Sequence, residues 1–168
     1  MRSSELYRSG PSGVEFRNIK ELNQDIGLTK LYVRTKLARV LLCRGFYRCK
    51  KLGQLGLKPD QAPWINATHP GAVSTDQPEQ AIQAYGKLGK IRVKAARPLM
   101  KDPVDEGCQS ILFVATSDAV AEKKMDGEHI VPDCKVTSTS SQAQDEQLQE
   151  RCWNLVEGIL TQKLAVSY

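Results

Sequence analysis

The 168-residue sequence holds no apolar run approaching the ~20 residues that a membrane-spanning helix needs. Its opening stretch, Met1 to Gly10, is polar and lacks the core of a secretory signal. Its closing stretch, Lys163 to Tyr168, carries no prenylation or retention signal. No Cys-x-x-Cys pair occurs, and the five cysteines are odd in number and widely spaced. A disulfide framework and a zinc site are therefore not expected. Also missing is any Gly-x-Gly-x-x-Gly run, the turn that meets a pyrophosphate at a helix N-terminus. These absences leave a soluble, cytoplasmic protein with no membrane span as the expectation.

What is present suits one globular core: 40% of the residues are apolar and 26% charged. The net charge of +5 is unevenly spread. Residues 1–60 hold 13 basic and 5 acidic side chains, whereas residues 61–168 hold 11 and 14. Lys30 to Lys51 alone has eight basic residues and no acidic one. Such a run is either a nucleic-acid footprint or a helix with a solvated basic face near a phosphate-bearing cofactor. The second reading is preferred, so no nucleic-acid partner is expected.

Residues 1–29 are rich in turn formers and read as loop, with a short helical turn near Asn18 to Asn23. From Lys30 to Lys51, Leu37, Val40, Leu41 and Cys43 fall near one helical face. Gly53, Gly56 and Pro59 end that helix. Ala62 to Thr68, closed by Pro70-Gly71, reads as a buried strand. The Asn66-Ala67-Thr68 triplet within it is therefore read as structural rather than as a glycan acceptor. Residues 72–100 read as an irregular lid. Asp102-Pro103 opens a second helix running to Ala115, and Gly127 to Val131 forms another strand. Ser141-x-x-Gln144 is a capping-box pattern that opens a third helix to about Leu164, after a polar linker over Thr137 to Asp145. This alternation predicts an α/β layer with parallel strands. Two strands make a poor parallel sheet, so the order implies an incomplete one.

Tyr32-x-x-x-Lys36 places two side chains one helical turn apart on one face. A phenol ionises near ~10, too high for proton exchange at neutral pH. An adjacent ammonium stabilises the phenolate. The pair is a candidate acid/base unit, although the same spacing also arises in ordinary exposed helix pairs. His69 and His129 read as structural, because no second ligand is placed to make a metal site.

Around this pair lie Ser3-Ser4 upstream, then Asn66-Ala67-Thr68-His69-Pro70-Gly71 and Thr75. Asp102 through Gly107-Cys108 to Ala115-Thr116-Ser117, followed by Gly127-Glu128, completes the set. In this order the motifs resemble the short-chain dehydrogenase/reductase family. The likeness is nearest to its retinol-dehydrogenase-like and daunorubicin-ketoreductase-like branches, which include enzymes of secondary metabolism. It implies the C-terminal portion of a Rossmann-type doubly wound parallel sheet, as a single partial domain over 1–168. Within it, 1–29 would be loop and insertion, 30–136 catalytic helix, strand, lid, helix and strand, and 137–168 linker and last helix. It also implies catalytic roles for Tyr32, Lys36 and Ser4. Tyr32, Lys36, Pro70, Gly71 and Thr75 would meet NAD or NADP, residues 76–100 would cover a carbonyl or alcohol substrate, and homo-oligomerisation would follow through the first long helix. The family's Thr-Gly-x-x-x-Gly-x-Gly and Asn-Asn-Ala-Gly segments have no counterpart here. The alternative readings are a truncated, inactive remnant or interaction protein, and a basic-helix binding module.

Overall fold

Loop chemistry at each end decides where the helices start and stop in the computed structural model, which describes residues 1–58, 61–71 and 107–164. Helix α1 spans Ile19–Leu22, and the Asn18 side chain caps it by accepting from the Glu21 N–H. Helix α2 spans Leu28–Lys51. It starts at Gly27, whose φ of 76° suits glycine. It ends with Arg48, Lys50 and Lys51 in the last turn, where cations complement the helix dipole. Helices α3 (Gln109–Thr116), α4 (Asp118–Glu122), α5 (Ser141–Gln144) and α6 (Glu146–Leu164) come later in the described residues. Short 3₁₀ turns occupy Glu5–Ser9 and Pro132–Cys134.

Strands β1 (Ala67–Thr68), β2 (His129–Val131) and β3 (Lys135–Thr137) form one sheet in that order. β1 and β2 are parallel, with Ala67 opposite His129. β2 and β3 are antiparallel, with Ile130 opposite Val136. On the other edge of β1, Arg2 makes a parallel bridge to Thr68. Pairing is thus parallel from the N-terminal segment through β1 to β2, and turns antiparallel at β3.

The main core gathers Tyr7, Phe16, Leu37, Val40, Leu41, Cys43, Ala67, Ala143, Leu148 and Cys152. It lies between α2, α6 and the 3₁₀ turn at 5–9. Val120, Met125 and Ile130 form a smaller cluster. Each Leu or Val sealed in this way stabilises the fold by about 1.5–3 kcal/mol.

Several boundaries differ from the sequence reading. The buried strand expected over Ala62 to Thr68 pairs only at Ala67–Thr68, and that over Gly127 to Val131 only from His129. Lys135–Thr137 is a strand that periodicity did not announce. The third helix is split at Asp145. Ser140, not Ser141, caps α5 by accepting from Ala143 N–H, and Asp145 Oδ1 accepts from Gln147 and Leu148 N–H at the start of α6. Of the helix expected from Asp102, residues 102–106 lie outside the described residues, as do the lid (72–100) and Thr75.

Candidate functional site

Helix α2 carries Tyr32 and Lys36 on adjoining turns. The Lys36 ammonium lies over the Tyr32 ring, 5.2 Å from its centroid. Tyr32 is 37% exposed and Lys36 is half-buried. Burial lowers the Lys36 pKa from its ordinary value, and the nearby positive charges of Arg39 and Arg2 push it the same way. No ion pair engages Lys36 among the described residues, so its donors stay available to a ligand.

The serine pair is brought to the same helix. Ser3 N–H donates to Thr68 carbonyl (2.6 Å), and Thr68 N–H donates to Met1 carbonyl (2.7 Å). From α2, Arg39 donates to the Arg2 carbonyl at 3.0 Å, and Ser3 Oγ donates to the Lys36 carbonyl at 3.5 Å. Ser3, 1% exposed, thus directs its hydroxyl at backbone. Ser4 instead accepts from the Leu6 N–H as the cap of the 5–9 turn. Ser4 is 8% exposed, and its own O–H remains a donor. Pro70 and Gly71 follow one residue after β1, whose Thr68 holds Ser3. Gly71 has φ 88°, a left-handed conformation that favours glycine.

Arg34 lies between the two site residues in sequence but projects about 200° around the helix from Tyr32. It is 4% exposed and donates to the Glu21 carbonyl (2.9 Å) and the Leu22 carbonyl (2.6 Å). The Glu21 carboxylate in turn accepts from three successive backbone N–H groups, those of Glu15, Phe16 and Arg17, at 2.8, 3.0 and 2.9 Å. This is an anion-binding nest filled from within the chain. Burial alone would raise the Glu21 pKa. Those three bonds and the Arg34 charge outweigh it and hold the carboxyl below its ordinary value. The clasp pins the 15–22 segment to the flank of α2 away from Tyr32. In the sequence, Arg34 is marked only as part of a basic run.

Four of the eight basic residues in that run bond to other parts of the protein. Besides Arg34 and Arg39, Lys50 pairs with Asp126 at 2.8 Å, and Arg48 with Glu150 at 3.4 Å. Asp126 Oδ1 also accepts from Ile65 N–H. Asn66, 2% exposed, donates to the Met125 carbonyl and accepts from Glu128 N–H, so it ties β1 to the turn before β2. Its amide nitrogen and oxygen are thus both bonded in the interior.

His129 is 1% exposed and packs edge-on against Tyr7, with ring centroids 5.3 Å apart. Its Nδ1 lies 3.2 Å from Thr137 Oγ1 and 3.6 Å from Glu5 Oε1. Burial pushes its pKa down to about 4, with Arg8 and His69 acting in the same direction and Glu5 opposing. Behind the serine turn there is thus a neutral imidazole that anchors the 5–9 segment to the sheet. A cleft of about 540 Å³ opens elsewhere, between Phe16–Ile19 and the α6 residues Arg151, Leu155 and Ile159. Ser4, Tyr32, Lys36, Pro70 and Gly71 do not line it.

Among proteins of known description, the chain is similar to one from Neurospora crassa named "Putative oxidoreductase bli-4, mitochondrial". The two are 32% identical over 163 residues, which is 96% of this chain and 38% of that protein. The chain therefore spans well under half the length of the curated relative it matches. No family model matches the sequence. No solved structure matches it. The likeness extends along almost all of this chain and links it with a protein named as an oxidoreductase. Among the described residues, no helix is long and apolar enough to cross a membrane.

Proposed function

We propose that this chain carries the nicotinamide-facing, catalytic part of a short-chain dehydrogenase/reductase. It would serve hydride transfer between NAD or NADP and a carbonyl or alcohol substrate. One observation carries the reading: the Lys36 ammonium against Tyr32, on a helix whose Lys36 carbonyl is bonded by Ser3, next to Ser4. The likeness to a protein named as an oxidoreductase supports it.

The nicotinamide, when bound, gives or accepts the hydride. The chain's own residues handle the proton. Tyr32 donates it to the carbonyl oxygen in reduction and takes it from the alcohol in oxidation. Lys36 sits against the Tyr32 ring and offers its N–H donors to the nicotinamide ribose. Ser4 donates to the substrate oxygen where negative charge develops. Pro70, Gly71 and Thr75 complete the nicotinamide side by resemblance. The residues present fit that end of the cofactor: Lys36 is free of ion pairs among the described residues, and Ser4 keeps its O–H. No glycine-rich turn in the sequence serves the pyrophosphate, so binding to the isolated chain is expected to be weak.

The test is turnover of a panel of aldehydes, ketones and alcohols at millimolar NADH, NADPH and their oxidised forms. The expected result is slow turnover that Tyr32→Phe lowers by about 10²–10⁴-fold. Equal turnover in both proteins contradicts the assignment. A second reading, a piece that does no chemistry alone, is favoured by the 38% coverage of the relative and the missing glycine-rich turn. No turnover by the unaltered chain selects it. A cytoplasmic location belongs to the proposal, whereas the relative's name says mitochondrial. Imaging the tagged chain separates the two.

A further inference from the structure

Three of the five cysteines are sealed in the interior. Cys43 and Cys152 are both 0% exposed, and burial pushes each thiol up to about 12. Cys49 is also buried, and its pKa is raised for the same reason. Thiols held in this way carry almost no thiolate at neutral pH and do not react. The remaining two lie outside the core: Cys108 is exposed and Cys134 half-buried.

These two are distant in sequence, yet the fold brings their segments together. Cys108 is the residue immediately before α3, and Cys134 closes the 3₁₀ turn that packs on α3. Cys134 Sγ lies 4.0 Å from the carbonyl oxygen of Gln109, the residue next to Cys108. The backbone at the turn is unusual. Asp133 and Cys134 have φ of 60° and 57°, two successive non-glycine residues in the left-handed region. Such a conformation costs free energy and persists only where the surroundings hold it.

We propose that Cys108 and Cys134 form a reversible disulfide, a redox modification site that ties the start of α3 to the strap between β2 and β3. The co-reactant is a small disulfide such as oxidised glutathione. One protein thiolate attacks a glutathione sulfur, forming a mixed disulfide and expelling a glutathione thiolate. The second protein thiolate then attacks the protein sulfur of that mixed disulfide and expels the other glutathione. Two protein thiols lose two electrons and two protons, and one oxidised glutathione becomes two reduced glutathiones.

The test incubates the full chain with oxidised glutathione, under native conditions and in guanidinium chloride. Remaining thiols are blocked, and trypsin peptides are read by mass without reduction. The expected product joins the peptide Asp102–Lys123 to Met125–Lys135, and dithiothreitol releases it. It forms at least about ten times faster in the native chain than in the denatured one, because folding raises the effective concentration of one thiol near the other. Cys108→Ser leaves Cys134 as a mixed disulfide with glutathione, and Cys134→Ser does the reverse. The proposal is overturned if native protein carries two separate glutathione adducts and no cross-link, if either surface thiol pairs with a different cysteine, or if the native and denatured rates are equal.

Discussion

Lys36 and His129 show how the same force, loss of water, acts on two cations with different outcomes. Lys36 is half-buried, and its ammonium keeps contact with the Tyr32 ring and with solvent. Burial and the neighbouring Arg39 and Arg2 lower its pKa, and the amine lies beside the phenol ring. Lys36→Met is therefore expected to reduce turnover by about as much as Tyr32→Phe while leaving the melting temperature within a few degrees. Equal turnover to the unaltered chain contradicts this. His129 is enclosed, and there neutrality wins. The folded protein keeps the ring unprotonated down to about pH 4, whereas the unfolded chain protonates near ~6.5. Unfolding between those values takes up a proton. The His129 contribution is thus fully present above about pH 6.5 and lost as pH falls toward about 4, by about 3 kcal/mol at the acid end. Melting temperatures measured from pH 7 to 4 should fall, and His129→Gln should flatten that fall; an unchanged slope refutes the assignment. The contact between Lys36 and Tyr32 was legible in the sequence because i, i+4 spacing is local. The surroundings of His129 were not, because Tyr7 and Glu5, which touch its ring, lie more than a hundred residues away in sequence.

Elements in this fold are fixed by caps and clasps as much as by apolar stripes. The stripe on α2 was readable, since Leu37, Val40 and Leu41 are all buried where the periodicity put them. Leu41→Ala is expected to cost about 2–5 kcal/mol in chemical denaturation; a loss below 1 kcal/mol would show that the site is not packed. The split between α5 and α6 was hidden, because both Ser141 and Asp145 fit one continuous polar opening. Only the Asp145 bonds to Gln147 and Leu148 show a fresh helix start. Asp145→Ala should cost about 0.5–2 kcal/mol. The strand β3 escaped notice for a different reason: its central residue Val136 is 47% exposed, so no burial pattern marks it. Arg34 belongs at this scale too. Arg34→Met removes the side-chain donor from the Glu21 and Leu22 carbonyls, and deuterium exchange at the Glu15, Phe16 and Arg17 amides should accelerate about tenfold or more. Exchange at the unaltered rate would show that the Glu21 nest holds without the clasp.

At the scale of the whole molecule, the parallel pairing from Arg2 through β1 to β2 places Ser3-Ser4 and Pro70-Gly71 at neighbouring strand ends. The parallel direction of β1 and β2 was legible, whereas the sheet as a whole is small and mixed. The antiparallel turn at β3 depends on the Asp133–Cys134 backbone and had no local signal. Leu28, Leu31 and Tyr32 make an exposed apolar stretch at the start of α2, and Ile111 and Leu112 another on α3. Apolar patches of this kind favour self-association. Sedimentation over a hundredfold concentration range should show mass rising with concentration; a monomer throughout refutes it. The most direct test of the central claim asks whether the Tyr32 turn faces a nicotinamide ribose. Saturation-transfer NMR with reduced nicotinamide mononucleotide isolates that end of the cofactor. Transfer to the nicotinamide and ribose protons is expected in the unaltered chain and in Lys123→Met, and it should vanish in Lys36→Met. Signal of equal strength in Lys36→Met, or no transfer to the unaltered chain, contradicts the account.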